Sequence, residues 1–175
     1  EIYEIEKTAF IKRYKATKPK VSSIDADIFR YTQVAAKVMD ADAMVTTQFL
    51  QLDFSMLKNS IAAHCKEWQQ RLTQLLLEMA TDDLEDIYVY MKEKGEKVSH
   101  VPQNLDELGE SMALLEHLQK DQGRIEEKFS PLDEQFAVLD KYEVEYTEEV
   151  EHRKKHLHAD WAAFQETLVE AEQMI

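Results

Sequence analysis

Side chains that could do chemistry are scattered along this 175-residue chain, and their spacing builds none of the common sites. The three glycines stand apart at 95, 109 and 123, and no Gly-x-x-x-x-Gly-Lys run occurs, so no phosphate-cradling loop is expected. Gly-x-Ser-x-Gly, Cys-x-x-Cys and His-Glu-x-x-His are absent as well. A carboxylate-bridged metal pair inside a helical bundle needs two Glu-x-x-His repeats. One copy exists, Glu149 to His152, and a single copy is expected by chance in so acidic a chain. His152 and His156 are four apart and could share an ion on one helix face, but Arg153 and Lys154 between them oppose a divalent cation. His64 and Cys65 are adjacent, and adjacent helical residues diverge by about 100°, so they do not face one another. Cys65 reads as a small core residue. No catalytic, cofactor-binding or metal-ligating position is assigned, and the expected role is not enzymatic.

Composition points the same way. Apolar residues make up 44% of the chain and charged residues 32%, so a core can be buried while the surface stays solvated. Only 3 Gly and 3 Pro occur, and a chain nearly without turn residues is expected to form long regular elements. The net charge of −14, from 35 acidic against 21 basic residues, repels nucleic acid and any acidic surface, whether anionic lipid or an acidic filament. A basic protein partner is the functional alternative to plain solubility. The single cysteine excludes an internal disulfide and fits a reducing cytoplasm. No apolar run approaches the ~18–20 residues that span a bilayer, and no signal-peptide pattern is present. A chain that opens on Glu1 and closes inside a helical pattern at Ile175 is expected to be a segment of a larger protein.

The elements that position these side chains follow from apolar spacing. Residues 1–17 read as a short helix with Ile2, Ile5, Ala9 and Phe10 on one side, stopped by Lys18-Pro19. Residues 18–52 read as a second helix and an irregular connector. Ser22 is the expected cap, and Ile24, Ile28, Tyr31, Ala35 and Val38 form the apolar face. Val45 to Leu52 is expected as loop or a short extended piece.

From Asp53, an expected N-cap, the stripe becomes continuous. The all-α fold expected for 53–175 is an elongated, spectrin-like antiparallel bundle of three long helices, about 53–94, 104–142 and 147–175. Its expected core is Phe54, Leu57, Ile61, Trp68 and Leu72 on the first helix. Leu108, Met112, Leu115, Phe129, Leu132 and Phe136 follow on the second, and Leu157, Trp161, Phe164 and Leu168 on the third. Gly95 to Pro102 is the expected turn, and Asn104 with Glu107 has capping spacing. Pro131 is expected to kink the second long helix without a separate loop, because the apolar register runs straight across it. Gln122 interrupts that stripe and can fix register. Thr147 is expected to cap the last helix, with Glu149–Arg153 and Glu151–Lys155 pairs on its surface.

Several stretches resemble one family. Phe49 to Leu76, FLQLDFSMLKNSIAAHCKEWQQRLTQLL, resembles the tail of axonemal dynein heavy chains at Asp53, Leu57-Lys58, Cys65 and Trp68. VPQNLDELGE (Val101 to Glu110) and DWAAFQETL (Asp160 to Leu168) resemble later parts of the same tail, and KPKVSSIDADIFRY also fits. The resemblance implies a tail position shortly before the linker that crosses the motor ring, in an ATP-driven, microtubule-based motor of the axoneme of cilia or flagella. It implies no cofactor in this segment, the ATP belonging to the motor domain. The partners it implies are other dynein heavy, intermediate or light chains, with no direct microtubule contact.

Two other classes fit the residues. A spectrin- or plakin-type cross-linker would also use long helices with tryptophans, although the chain before Asp53 does not echo the chain after it. A helical adaptor would bind its partner at Val45 to Leu52, where Val45, Phe49, Leu50 and Leu52 are too apolar for a free loop.

Overall fold

Scarce turn residues and long apolar stripes produce six helices and one hairpin in residues 6–174, the part of the chain that the computed structural model describes. Helix α1 (Lys7–Ala16) stops where Lys18 takes φ 47 ahead of Pro19. The Lys18 amide donates to the Lys15 carbonyl at 3.1 Å and the Thr17 hydroxyl to the Tyr14 carbonyl at 2.7 Å. The last carbonyls are thus satisfied although proline has no N–H to give. Ile2 and Ile5 lie outside the described residues. Helix α2 (Val21–Asp40) begins after Lys20, not at Ser22 as expected. Pro19 is followed by Lys20 in extended conformation, so the helix starts at once and Ser22 falls inside its first turn.

The connector is ordered. Strands β1 (Met44–Thr47) and β2 (Leu50–Asp53) pair antiparallel, with Met44 opposite Asp53 and Thr47 opposite Leu50. Helix α3 (Ser55–Val98) follows as one run of 44 residues. Asp53 Oδ1 accepts from the Ser55 amide at 2.8 Å, but the helix opens one residue later than expected, its first bond running from the Lys58 amide to the Phe54 carbonyl at 2.9 Å. The expected stop at Gly95 does not occur. A helical glycine costs only about 1 kcal/mol, and Met91 and Val98, buried on either side of it, hold the helix together.

Asn104 Oδ1 accepts from the Glu107 amide at 2.8 Å, and Glu107 accepts in return from the Gln103 amide at 2.8 Å, opening α4 (Leu105–Glu126). Pro131 does more than kink its helix: the chain breaks at Glu127–Lys128 and restarts as α5 (Phe129–Lys141). Proline lacks the N–H that would bond the carbonyl four residues back, and the ladder opens at that residue, Glu127. The apolar register nevertheless persists, with Ile125, Phe129, Leu132 and Phe136 all buried. Helix α5 ends in a Schellman motif. Glu143 sits at φ 54, its amide bonds the Asp140 carbonyl at 3.1 Å, and the Val144 amide bonds Leu139 at 3.1 Å. The Thr147 hydroxyl accepts from the Val150 amide at 3.4 Å at the start of α6 (Glu148–Met174).

The chain divides into two compact units, which do not coincide with the expected boundaries 1–17, 18–52 and 53–175. One unit holds the described residues up to Glu78 together with Ala137–Val144. In it α1 runs parallel to α3, through Lys7–Glu67 and Lys15–Glu78 ion pairs. Helix α2 runs antiparallel to α3, through Tyr31 on Trp68 and the Lys58 ammonium on the Met39 carbonyl (2.9 Å) and the Ala41 carbonyl. The other unit holds Met79–Phe136 and residues from Glu145 on, and is an up-down-up bundle. Asp83–Gln135 and Tyr90–Asp121 set α3 antiparallel to α5 and α4, and Gln119–Glu172 and Trp161–Glu126 set α4 antiparallel to α6.

Of the expected core, Trp68, Leu72, Leu115, Phe129, Leu132, Phe136, Leu157, Trp161, Phe164 and Leu168 are buried. Phe54, Ile61 and Leu108 are half-buried. Leu57 and Met112 depart from expectation, at 53% and 55% exposure. Both lie one residue off the stripe, about 100° around their helices. Stepping back from Cys65 by four and three reaches Ile61 and Lys58, and Lys58 caps α2 while Leu57 faces outward. On α4 the steps of three and four run Leu108, Ser111, Leu115 and Leu118, which leaves Met112 outside.

Candidate interaction surface

Between the helices the chain builds polar clasps that apolar spacing did not reveal. Tyr14 donates to Asp27 at 2.7 Å and Tyr142 to Asp25 at 2.7 Å in the first unit. In the second, Tyr88 donates to Asp160 at 2.6 Å and Tyr90 to Asp121 at 3.2 Å. Each ring covers the core edge while its hydroxyl reaches an acid on the next helix. Burial, then the neighbouring carboxylate, raises the Tyr14 and Tyr88 hydroxyls far above the ordinary tyrosine range. Burial and the Asp121 charge push Tyr90 up to about 12. Hydrogen bonds from Tyr142 and then Lys141 hold Asp25 below the usual carboxylate range. These tyrosines stay protonated at neutral pH and act as donors, not bases.

His64 accepts from the Trp68 indole at 3.2 Å, and Cys65 is buried, with burial pushing its thiol up. His152 and His156 stack with ring centroids 4.2 Å apart, and His156 Nδ1 is 2.8 Å from the His152 carbonyl. Glu149 pairs with Arg153 at 2.7 Å and Glu151 with Lys155 at 2.9 Å. Among the described residues no three His, Cys, Asp or Glu side chains converge as a metal site would require, and no helix is long and apolar enough to cross a membrane. Gln122 accepts from Gln165 at 3.2 Å, a polar pair joining α4 to α6.

The hairpin gathers five of the exposed apolar residues, Met44, Val45, Phe49, Leu50 and Leu52. All eight strand residues are exposed, with Leu50 at 66% and Phe49 at its tip at 100%. Side chains alternate, so Val45, Thr47, Leu50 and Leu52 share one face and Met44, Thr46, Gln51 and Asp53 the other. The Phe54 amide bonds the Ala43 carbonyl at 2.6 Å, which fixes the pattern. Val45–Leu52 and Thr47–Leu50 exchange bonds across the pair, and the N–H and C=O of Met44 and Thr46 point outward.

Comparison with known proteins bears on all of this. A family model described as Dynein axonemal heavy chain 2/5/8 coiled-coil matches residues 70–175, more than half of the chain. Dynein axonemal heavy chain 2 of Mus musculus is 46% identical over 175 residues, which is 100% of this chain and 4% of that protein. The Homo sapiens protein of the same name is 44% identical over the same 100% of this chain and 4% of its own. Dynein-1-beta heavy chain, flagellar inner arm I1 complex, of Chlamydomonas reinhardtii is 31% identical over 170 residues, 97% of this chain and 4% of that protein. The chain thus spans about 4% of the length of these curated relatives.

Proposed function

Because this chain belongs to the axonemal dynein heavy chains, we propose that it is a non-catalytic tail segment, a stiff spacer and assembly element between motor and doublet anchor. The observation that carries this is α3, a single helix of 44 residues with a buried stripe from Cys65 to Val98. Its length by helix rise is about 66 Å. Close-packed helices resist deformation, since separating them opens gaps that forfeit contact energy. ATP hydrolysis belongs to the motor domain of the parent protein, and the place of work is the axoneme of cilia and flagella. Other dynein heavy, intermediate or light chains are the expected partners. Similarity along the whole chain to a dynein heavy chain supports this reading over a spectrin-type cross-linker.

The test uses the parent heavy chain with Leu76→Asp and Leu84→Asp, both fully buried in α3. Basal ATP hydrolysis should match wild type while the force delivered to a microtubule in an optical trap falls. Equal loss of hydrolysis and force would contradict a spacer role.

A further inference from the structure

We propose that the outer edge of β1, Met44–Thr47, is a docking strand for an extended, basic segment of a partner protein, which adds to the hairpin as a third strand. Three observations carry this. First, the N–H and C=O groups of Met44 and Thr46 point outward, and among the described residues no third strand pairs with them. Edge strands are ordinarily guarded by lysine, proline, a bulge or a covering element, and β1 has no lysine or proline and pairs with β2 without a bulge. Second, a lone two-stranded hairpin is marginal in water, and a third strand extends its apolar face beside Val45 and Leu52. Third, charge selects the occupant. Asp40 and Asp42 precede β1 and Asp53 ends β2, three carboxylates against two cations near them in sequence, Lys37 in the last turn of α2 and Lys58, whose ammonium bonds the Met39 and Ala41 carbonyls. A second copy of this chain would bring the same aspartates to the same edge, so self-pairing is disfavoured and a basic strand is favoured.

The proposal deepens the assembly part of the function above and stands apart from the spacer part, since binding and force are measured separately. The probe is a fluorescent peptide, acetyl-Lys-Val-Lys-Ile-Lys-Val-Lys-amide, titrated by anisotropy into the full 175-residue chain. Saturable binding is expected, with the Thr46 amide becoming slow to exchange. N-methylating alternate peptide amides in the one register that faces β1 should weaken binding about tenfold or more, while the other register retains it. Replacing the peptide lysines by glutamates should weaken it by a similar factor. Thr46→Pro removes one outward N–H and should act like the N-methylated peptide, and Gln51→Pro, on the β2 edge, should not. No binding, equal binding by both N-methylated registers, or equal binding by the glutamate peptide would each overturn the proposal. So would a dimer in sedimentation that Thr46→Pro dissolves, because the occupant would then be a second copy.

Discussion

Replacing Trp68 by alanine would remove the side chain on which three elements of the first unit meet. It is 1% exposed, stacks on Tyr31 at 5.6 Å and 4° between planes, and meets Phe10 in a T-shaped pair at 5.2 Å. Its indole N–H also bonds His64 at 3.2 Å. A fully buried tryptophan cut to alanine costs about 3–5 kcal/mol, depending on how far the site collapses. Aromatic pairs add about 0.5–1.5 kcal/mol each beyond area. Here α1 and α2 contribute one ring apiece, so Trp68→Ala should fall near the upper end, about 5 kcal/mol. For a chain of this size that lowers Tm by roughly 10–20 °C, read by far-UV circular dichroism. Trp68→Phe keeps a ring against Tyr31 and loses the indole bond, and should cost only about 1–2 kcal/mol. A Trp68→Ala melt that overlays wild type would refute the reasoning, because α1, α2 and α3 would then not share a core.

Other expectations follow from the termini, the glycine and the clasps. Glu143 occupies a left-handed C-cap position at φ 54, where a side chain is strained; Glu143→Gly should raise stability by about 0.5–1 kcal/mol in urea titration. At Gly95 an added Cβ would lie 3.8 Å from the Phe164 ring, an ordinary contact in a regular helix. Gly95→Ala should therefore stabilise by about 0.5–1 kcal/mol in the same assay, and destabilisation would show that the site has no room. The hydrogen bonds from Tyr142 and Lys141 depress the Asp25 carboxyl on folding, so its contribution is present above the unfolded value, about 3.9, and is lost as pH falls through the folded one. Wild type should lose Tm below about pH 4 more steeply than Asp25→Asn, and parallel profiles would discount the clasp.

How much was legible in the residues depends on the range of the interaction. Periodicity found the helices and most of the core because burial of a stripe is a local pattern, as with Trp68, Leu72, Trp161 and Phe164. It misplaced Leu57 and Met112 because apolar type alone does not settle which of two adjacent positions takes the stripe. At these sites Lys58 and Ser111 keep the alternation of three and four. The α4–α5 break is half visible in the residues: Pro131 marks the place, but the lost bond opens the chain at Glu127, four residues upstream. Gly95 failed as a stop signal because packing outweighs its small propensity cost. The tyrosine–aspartate clasps were illegible, since Tyr88 and Asp160 stand 72 residues apart with no local pattern linking them. The hairpin was marked only by its excess of apolar residues, since no Asn-Gly or Asp-Gly turn announces it and Gln48 takes the positive φ of 48 instead.

Residue-resolved amide hydrogen exchange along α3 tests the spacer reading most directly. Uninterrupted slow exchange from Cys65 through Met91 is the predicted result, because every turn in that span carries a buried stripe residue. A window of fast exchange inside Leu72 to Ile87 would mean a hinge where a continuous strut is required, and would contradict it.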